Sequence, residues 1–502
     1  MAAADWVFLL VTDNAFSTAP PLTSPEPRAG VFRALLTALG IGSAWLLLYF
    51  VFTAPHVLAR WTEANLFLLL ALMSLALIAF TWLFGRDSSL LRRLSPAVLL
   101  LWNVLFALTL TLSARLHQTP FPTSPDAYPI LQPAPGFFAQ LLPYVTLILF
   151  PVIFIDFALL LQDVVHTRPS RRTLGIAYTL TSLYLLLLIL AHVFTTTYDY
   201  IPVIGPAFRD RFWLVHLLPA LVLLVATLPG RRLLAQIISN GLWPRHAQGL
   251  TALVILLAAL TLLGAWIVGA HPARPAASPP VLTVVTYNVQ QGYSQDGQKN
   301  LEGQLQVLRR LDPDIIGLQE TDTARISGSN DDLVRFFADR LDMYSYYGPK
   351  TVNGTFGIAL LSRFPLSDPQ TYYQYSQGEQ VATIRAGIRL GDKTYTIFVT
   401  HLGNGGPLIQ QQQLLQLVSG QEPLILMGDF NFRPDSEQYR LTTATLADTW
   451  TERWPDWTNS HGQKPDRKID HIFVTPGTKV LEAEYIEEPA SDHPAVVAII
   501  EP

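Results

Sequence analysis

Seven apolar stretches in the first half of this 502-residue chain constrain its fold more than any other feature. They run Val31–Ala54, Asn65–Phe84, Ala97–Ala114, Leu141–Leu161, Leu174–Thr195, Phe212–Leu228 and Leu250–Val268. Each approaches the roughly 17–25 residues that a helix needs to cross a bilayer. Buried helices of a soluble protein keep a polar face over such lengths, and seven in a row without one are not accounted for that way. Charge agrees: 14% of the residues are charged, against about 25% in ordinary soluble domains. The sixth stretch is the shortest and carries His216 and Pro219, so six spans is the alternative count. Trp6–Val11 is too short to span and lacks the basic flank of a signal peptide, which leaves it at the interface or loose.

Arginine in the short connections sets an orientation. Arg86, Arg92 and Arg93 follow the second stretch, Arg168, Arg171 and Arg172 the fourth, and Arg231, Arg232 and Arg245 the sixth. The alternate connections hold fewer: Arg60, then Arg115, then Arg209 and Arg211. Arg28 and Arg33 place the N-terminus with the richer set. The expectation is an integral, multi-pass protein of the cell membrane with a cytoplasmic N-terminus and, after seven spans, an extracytoplasmic C-terminal half. An odd change in the count reverses that placement.

Polar groups inside spans are expensive and therefore informative. Asp156 sits in the fourth stretch, His192 in the fifth, His216 in the sixth and Asn103 in the third. They read either as interhelical glue or as a site for a lipid headgroup or a proton. The connection His117–Gln140, rich in proline and aromatics, either caps the bundle or guides a lipid.

Beyond the Pro- and Ala-rich linker 271–280 the pattern changes, giving an N-terminal segment 1–30, a bundle 31–270 and a separate domain 281–502. Strand-like runs such as VLTVVTY, DIIGLQ, YTIFVTHL and PLILMGDF alternate with helical runs at Lys299–Leu311, Asp331–Leu341 and Ile409–Val418. About ten strands with three or four helices imply two packed sheets covered by helices. Charge is partitioned too. Up to Pro275 there are 16 Arg, no Lys and 10 acidic residues; after it there are 18 basic and 28 acidic residues. The absence of cysteine excludes a disulfide scaffold, a thiolate zinc site and a cysteine nucleophile.

Chemistry gathers at the ends of the strand-like runs. Asn288, Glu320, His401, Asp429 with Asn431, Asp470 and Asp492–His493 each terminate or precede one. A single acid at a strand end is ordinary surface chemistry; five or more such positions are not. The motifs TYNV, GLQET, GIALLSRFP, VTHLGN, GDFNFRP, KIDHIFV and SDHPAV follow in that order. In these the second half resembles the endonuclease/exonuclease/phosphatase superfamily, which includes DNase I-like nucleases, inositol-polyphosphate phosphatases and bacterial sphingomyelinases. The resemblance implies an α+β four-layer α/β/β/α sandwich behind the all-α transmembrane bundle.

It also implies roles. Glu320 matches the principal ligand of a Mg²⁺ ion (Mn²⁺ being the alternative), with Asn288 beside it and Asp492 supporting metal or water. Asp429 and Asn431 match the pair that aligns the attacking water and holds the phosphate. His493 faces the phosphate, Asp470 fixes its tautomer and His401 contacts phosphate oxygens. A hard cation with oxygen ligands suits this donor set. Three positions are weaker: His471 stands where the family often has Tyr, Tyr347 where some members contact substrate, and Arg363 either near the phosphate or at a sheet edge.

Fold alone does not choose a substrate. Nucleic-acid binding leans on basic patches, and the second half carries a net excess of acid. Tethering to a bundle favours a membrane lipid or lipid-linked phosphodiester instead. The arrangement, clearest over Gly357–Thr442, is similar to the eukaryotic membrane proteins that remodel GPI-anchor lipids to ceramide. A phosphodiesterase or phosphatase-type hydrolase acting on lipid is the primary expectation, a membrane-anchored nuclease the second and a non-catalytic phosphate-ligand binder the third.

Overall fold

The computed structural model describes the chain except residues 1, 18–29, 53, 87–92, 198–200, 241, 244–248, 269–278 and 465–467. Arg28, Arg92, Arg245 and most of the expected linker 271–280 lie outside the described residues, as does the side chain of Arg86.

Each of the seven apolar stretches is helical. After α1 (Ala2–Ser17), they appear as α2 (Val31–Leu47), α4 (Leu66–Arg86), α5 (Pro96–Arg115), the pair α6 (Phe137–Leu149) and α7 (Val152–Thr167), α8 (Arg171–Phe194), α9 (Leu214–Thr227) and α11 (Leu250–Val268). Short helices α3 (His56–Thr62) and α10 (Leu234–Asn240) lie between them. Among the described residues four helices, Leu66–Phe84, Pro96–Arg115, Arg171–Phe194 and Leu250–Val268, are long and apolar enough to cross a membrane. The pair α6–α7 is apolar enough together but bends by 41°. Pro151 heads α7, and its ring and missing amide break a continuous helix there. The fourth stretch thus extends past Leu141–Leu161 at both ends. α2 and α9 are shorter apolar helices.

Trp6–Val11 is neither loose nor peripheral. It lies in α1, whose Val7, Phe8 and Val11 are buried, and Phe8 stacks on Phe157 of α7. α2 packs against α7, α8 and α9. A Cβ on Gly40 would sit 2.5 Å from Ala226 Cβ of α9, so the close approach of these two helices needs a residue without one.

The second half is a sandwich. One sheet has the order β12-β13-β2-β3-β5-β4, built from β2 (Leu282–Asn288), β3 (Ile315–Gln319), β4 (Tyr344–Tyr347), β5 (Ile358–Ser362), β12 (Val480–Ile486) and β13 (Ala495–Ile500). The other has the order β1-β6-β7-β8-β9-β11-β10, with β1 (Ile130–Leu131) at its edge. It contains β6 (Leu366–Gln374), β7 (Val381–Leu390), β8 (Lys393–His401), β9 (Leu424–Asp429), β10 (Ala447–Asp448) and β11 (Asp470–Val474). Side chains alternate along each strand, and three buried clusters follow. Val284, Ile315, Leu360, Ile397, Val399 and Met427 fill the space between the sheets. Val285, Ile316 and Leu318 face outward onto α12 (Leu301–Leu311) and α13 (Leu333–Leu341). Phe398, Leu426 and Phe473 face outward onto α14 (Leu408–Val418). The layers are therefore α/β/β/α.

Two parallel pairs, β2–β3 and β8–β9, lie one in each sheet. Parallel neighbours require a crossover connection, and α12 and α14 supply them. The C-terminal ends of all four strands point the same way along the sandwich, which is where ligands gather in such sheets.

The bundle and the sandwich are joined through connections at one end of the bundle. His117–Gln140 docks on the sandwich: its strand β1 (Ile130–Leu131) pairs antiparallel with Tyr372 and Tyr373 of β6, closing a sheet edge. Thr119 N donates to Asn353 Oδ1 at 2.7 Å and Gln118 to Val352 O at 3.0 Å. From the first connection, Arg60 makes two bonds to Asp332 at 2.9 and 2.8 Å. From the fifth, Arg209 donates to Ser376 O at 3.0 Å. Near the far end, Arg33 pairs with Asp163.

Candidate active site

The acids, amides and histidines expected to act together converge because of strand register. Asn288 ends β2 and pairs with Gln319 of β3, so Glu320, the next residue, emerges beside it. His401 ends β8 opposite Asp429, the last residue of β9. Asp470 opens β11 opposite that same Asp429. Gly428 precedes it, and a Cβ there would meet Thr400 O at 2.1 Å, so the strands close tightly under the acid. Glu320 and Asn431 leave their strand ends with φ of 50° and 55°, a region that non-glycine residues occupy at a cost and mostly at functional turns.

Contacts cross from one sheet to the other. Asn288 Nδ2 donates to Glu320 Oε1 at 3.2 Å and to Asp429 Oδ2 at 3.0 Å, while its Oδ1 accepts from Gln290 N at 3.0 Å. Asn431 donates through its backbone to Asp429 Oδ1 at 3.0 Å and through its side chain to Leu402 O at 2.8 Å. Its Nδ2 lies 3.4 Å from His401 Nε2. His493 Nδ1 is 2.9 Å from Asp470 Oδ2 and 3.8 Å from Asp429 Oδ2. Ser491 Oγ donates to Asn288 O at 2.7 Å, tying the loop that carries Asp492 and His493 to β2.

Burial pulls the His493 imidazole down, but the charge and hydrogen bond of Asp470, with Asp429 and Asp492, outweigh it and raise it to about 10. Burial, reinforced by Asp429, pushes the Asp470 carboxyl up, against the pull of His493. The two form an ion pair at neutral pH. For His401, burial is outweighed by Asp429, Glu379 and Glu320, and its imidazole is raised.

A cavity of about 1060 Å³ opens over these groups. Glu320, Asp322, Glu379, Asp429 and Asp492 bring five carboxylates to its lining, with His401, Asn431 and His493; among the described residues no Lys or Arg lines it. Asp322 is paired with Arg325 and the imidazoles of His493 and His401 are raised; the remaining acid excess is charge that a bound cation would offset. Ligand atoms of Asp429, Asp470 and His493 fall within 4.8 Å of one another, but Asp470 and His493 are already bonded to each other. Glu320 and Asp492 line the same cavity as Asp429 and add carboxylate oxygens to it. Asn288 turns its nitrogen to Glu320 and Asp429, so ligation by its oxygen requires the amide reversed.

The remaining expected residues lie elsewhere. Tyr347 is buried on β4, with Arg60 stacked 4.9 Å over its ring. It lines a separate pocket with His56, Arg60 and Lys350. Arg363 bonds to Asp314 and Asp312, beside the start of β3 and a strand's length from Glu320. It is a sheet-edge clamp and not a phosphate contact. His471 is buried among Phe430, Phe432, Tyr439 and Phe473 with Nε2 3.2 Å from Phe432 O, a packing role. Asp156 accepts from Asn103 Nδ2 at 2.9 Å between α7 and α5. His192 and His216 face each other at 5.3 Å, with no ring nitrogen hydrogen-bonded among the described residues.

Two contributions had no signal in the motifs. Val193 in the last turn of α8, with Thr196 and Thr197 just beyond it, lines the same cavity from the bundle side. Arg325, fully buried, donates to Asp322 at 2.8 Å and to Thr195 Oγ1 at 3.2 Å, joining the loop after Glu320 to the same helix end.

The sequence model of the Endonuclease/Exonuclease/phosphatase family matches residues 285–493. Protein cwh43 of Schizosaccharomyces pombe is 31% identical over 127 residues, 24% of this chain and 13% of that protein's length. Among solved structures, an endonuclease/exonuclease/phosphatase from Beutenbergia cavernae is 22% identical, with a TM-score of 0.38 over 44% of this chain and 72% of that one. The human Nocturnin catalytic domain with bound sulfate is 20% identical, with a TM-score of 0.35 over 45% of this chain and 96% of that one. Residues 285–493 form a domain of the endonuclease/exonuclease/phosphatase family, carried in this chain behind a bundle of apolar helices.

Proposed function

We propose that this protein is a membrane-embedded, Mg²⁺-dependent hydrolase that cleaves the phosphoester of a phospholipid, sphingolipid or lipid-linked glycan outside the cytoplasm. The observation that carries the proposal is the composition of one cavity: acidic catalytic groups on one wall and the end of a membrane helix on the other. A soluble substrate does not require that wall. A polyanionic nucleic acid would meet five carboxylates and, among the described residues, no lining Lys or Arg. The similarity to cwh43 supports the lipid reading, because a bundle joined to this domain resembles the GPI-anchor remodelling proteins.

Glu320 and Asp492, with Asp429 adjoining, would hold the divalent ion. When bound, that ion offsets the charge of the phosphate oxygens. Asp429 would orient the attacking water and accept its proton. Asn431, fixed by Leu402 O and Asp429, donates to a phosphate oxygen. His493, held charged by Asp470, turns its other ring nitrogen toward the cavity as a proton donor to the phosphate or leaving oxygen. His401 adds a second imidazole beside Asn431.

The test uses the full chain with Mg²⁺ on phospholipid vesicles and on plasmid DNA in parallel. Lipid phosphoester cleavage that disappears in Glu320→Ala, with plasmid left intact, is the expected result. Rapid plasmid cleavage dependent on Glu320, with lipid untouched, overturns the lipid reading.

A further inference from the structure

We propose that the Thr196–Thr197 end of α8 belongs to the substrate site and positions the alcohol side of a lipid-linked phosphodiester against the bundle. The inference rests on the lipid reading above and adds the residues that would select for it.

Three successive threonines close α8 and behave differently. Thr195 returns its hydroxyl to His192 O at 2.7 Å and receives Arg325 at 3.2 Å. The hydroxyls of Thr196 and Thr197 are shielded and have no hydrogen-bond partner among the described residues. Thr196 is 3% exposed, yet both residues line the catalytic cavity together with Val193. A threonine near a helix end can return its hydroxyl to a carbonyl one turn back, as Thr195 does. A buried hydroxyl that forgoes this is costly unless a partner arrives. In this cavity the incoming partner is a substrate oxygen on the side of the phosphate away from the acids.

The mouth of the cavity points to where that substrate comes from. Its lip, Tyr375–Glu379, is held by Arg209 through Ser376 O. Arg209 belongs to the connection between α8 and α9, and the same connection exposes Ile201, Val203 and Ile204, with Val203 88% exposed. Bare aliphatic side chains at the end of an apolar bundle suit the headgroup boundary of a bilayer. One segment therefore grips the lip and meets the membrane surface. A diester entering there reaches the carboxylates with its phosphate while its lipid-side oxygens pass Thr196 and Thr197.

The full chain is assayed on phosphatidylcholine vesicles carrying phosphatidylinositol and sphingomyelin, and on bis(p-nitrophenyl) phosphate as a lipid-free diester. The readout is the ratio of kcat/KM on vesicle lipid to that on the soluble diester. For Thr196→Val with Thr197→Val, which keep shape and remove both hydroxyls, the ratio should fall about tenfold through KM, the scale of one or two lost hydrogen bonds. Thr196→Ser with Thr197→Ser should restore it. An unchanged ratio in the valine variant overturns the inference, as does an equal loss on both substrates that serine does not rescue. A native protein that cleaves the soluble diester but no vesicle lipid overturns the lipid reading itself, a separable outcome.

Discussion

At the scale of single residues, the site is a set of strand ends brought together by register. Asp429 is the pivot: it pairs in register with His401 on one side and Asp470 on the other, and Asn288 reaches it from the opposite sheet. The Asp470–His493 bond fixes which ring nitrogen faces the cavity. Asp470→Asn keeps the shape but removes the anionic anchor, so kcat should fall by about 10²-fold or more, with little change in KM. Steady-state kinetics on a soluble diester check this; a variant within threefold of native contradicts the assigned role. These residues were legible in sequence because each sits at a strand end inside a short motif. Thr196, Thr197 and Arg325 were not. Their meaning depends on contact between segments more than a hundred residues apart, and TTT at a helix end reads as an ordinary terminus. Arg363 was ambiguous for the same reason: its motif adjoins a strand, but only the pairing of β5 with β3 shows which end it occupies.

At the scale of elements, the bundle and the sandwich are held by charged and hydrogen-bonded contacts and not only by apolar packing. Helix positions were readable from apolar runs, whereas the bend at Pro151 and the docking of α1 were not, since both are settled by neighbours. The edge strand β1 was equally hidden, because two residues carry no strand signal until β6 lies beside them. The Arg60–Asp332 bond is a titratable part of the docking. Burial alone would raise the Asp332 carboxyl, but the Arg60 guanidinium outweighs it and holds the carboxyl below its ordinary value. A lowered carboxyl contributes stability above its unfolded pKa and loses it as pH falls through the folded value. Docking should therefore be unchanged from neutral pH to about 5 and loosen below about 4. Hydrogen-exchange protection of residues 330–335, corrected for the intrinsic rate at each pH, should fall there. Asp332→Asn should show lowered protection already at neutral pH and lose the acid dependence; protection factors independent of pH in the native protein contradict this role of the pair.

At the scale of the whole molecule, the connections after the first, third and fifth apolar stretches all touch the sandwich. α8 has 24 residues, a length of roughly 36 Å, so Arg171 and Arg172 lie at the opposite end of the bundle from the catalytic cavity. We propose seven alternating passes, with the arginine-rich end cytoplasmic and the sandwich outside; among the described residues four helices, or five with the bent pair as one, are long and apolar enough to cross. A reporter fused after Pro502 should be active only in its extracytoplasmic form; activity only in the cytoplasmic form contradicts the orientation. The acidic excess of the second half also gains a location, since five of its carboxylates line one cavity. The central claim is that this cavity hydrolyses a membrane lipid phosphoester. The most direct measurement is mass spectrometry of headgroups released from a native lipid extract by the full chain. The expected result is a released phosphorylated or phosphate-free headgroup with Mg²⁺, abolished by a chelator, restored by added Mg²⁺ and absent in Glu320→Ala. Release that persists undiminished in Glu320→Ala, or no release from any lipid while the protein cleaves a soluble diester, would contradict it.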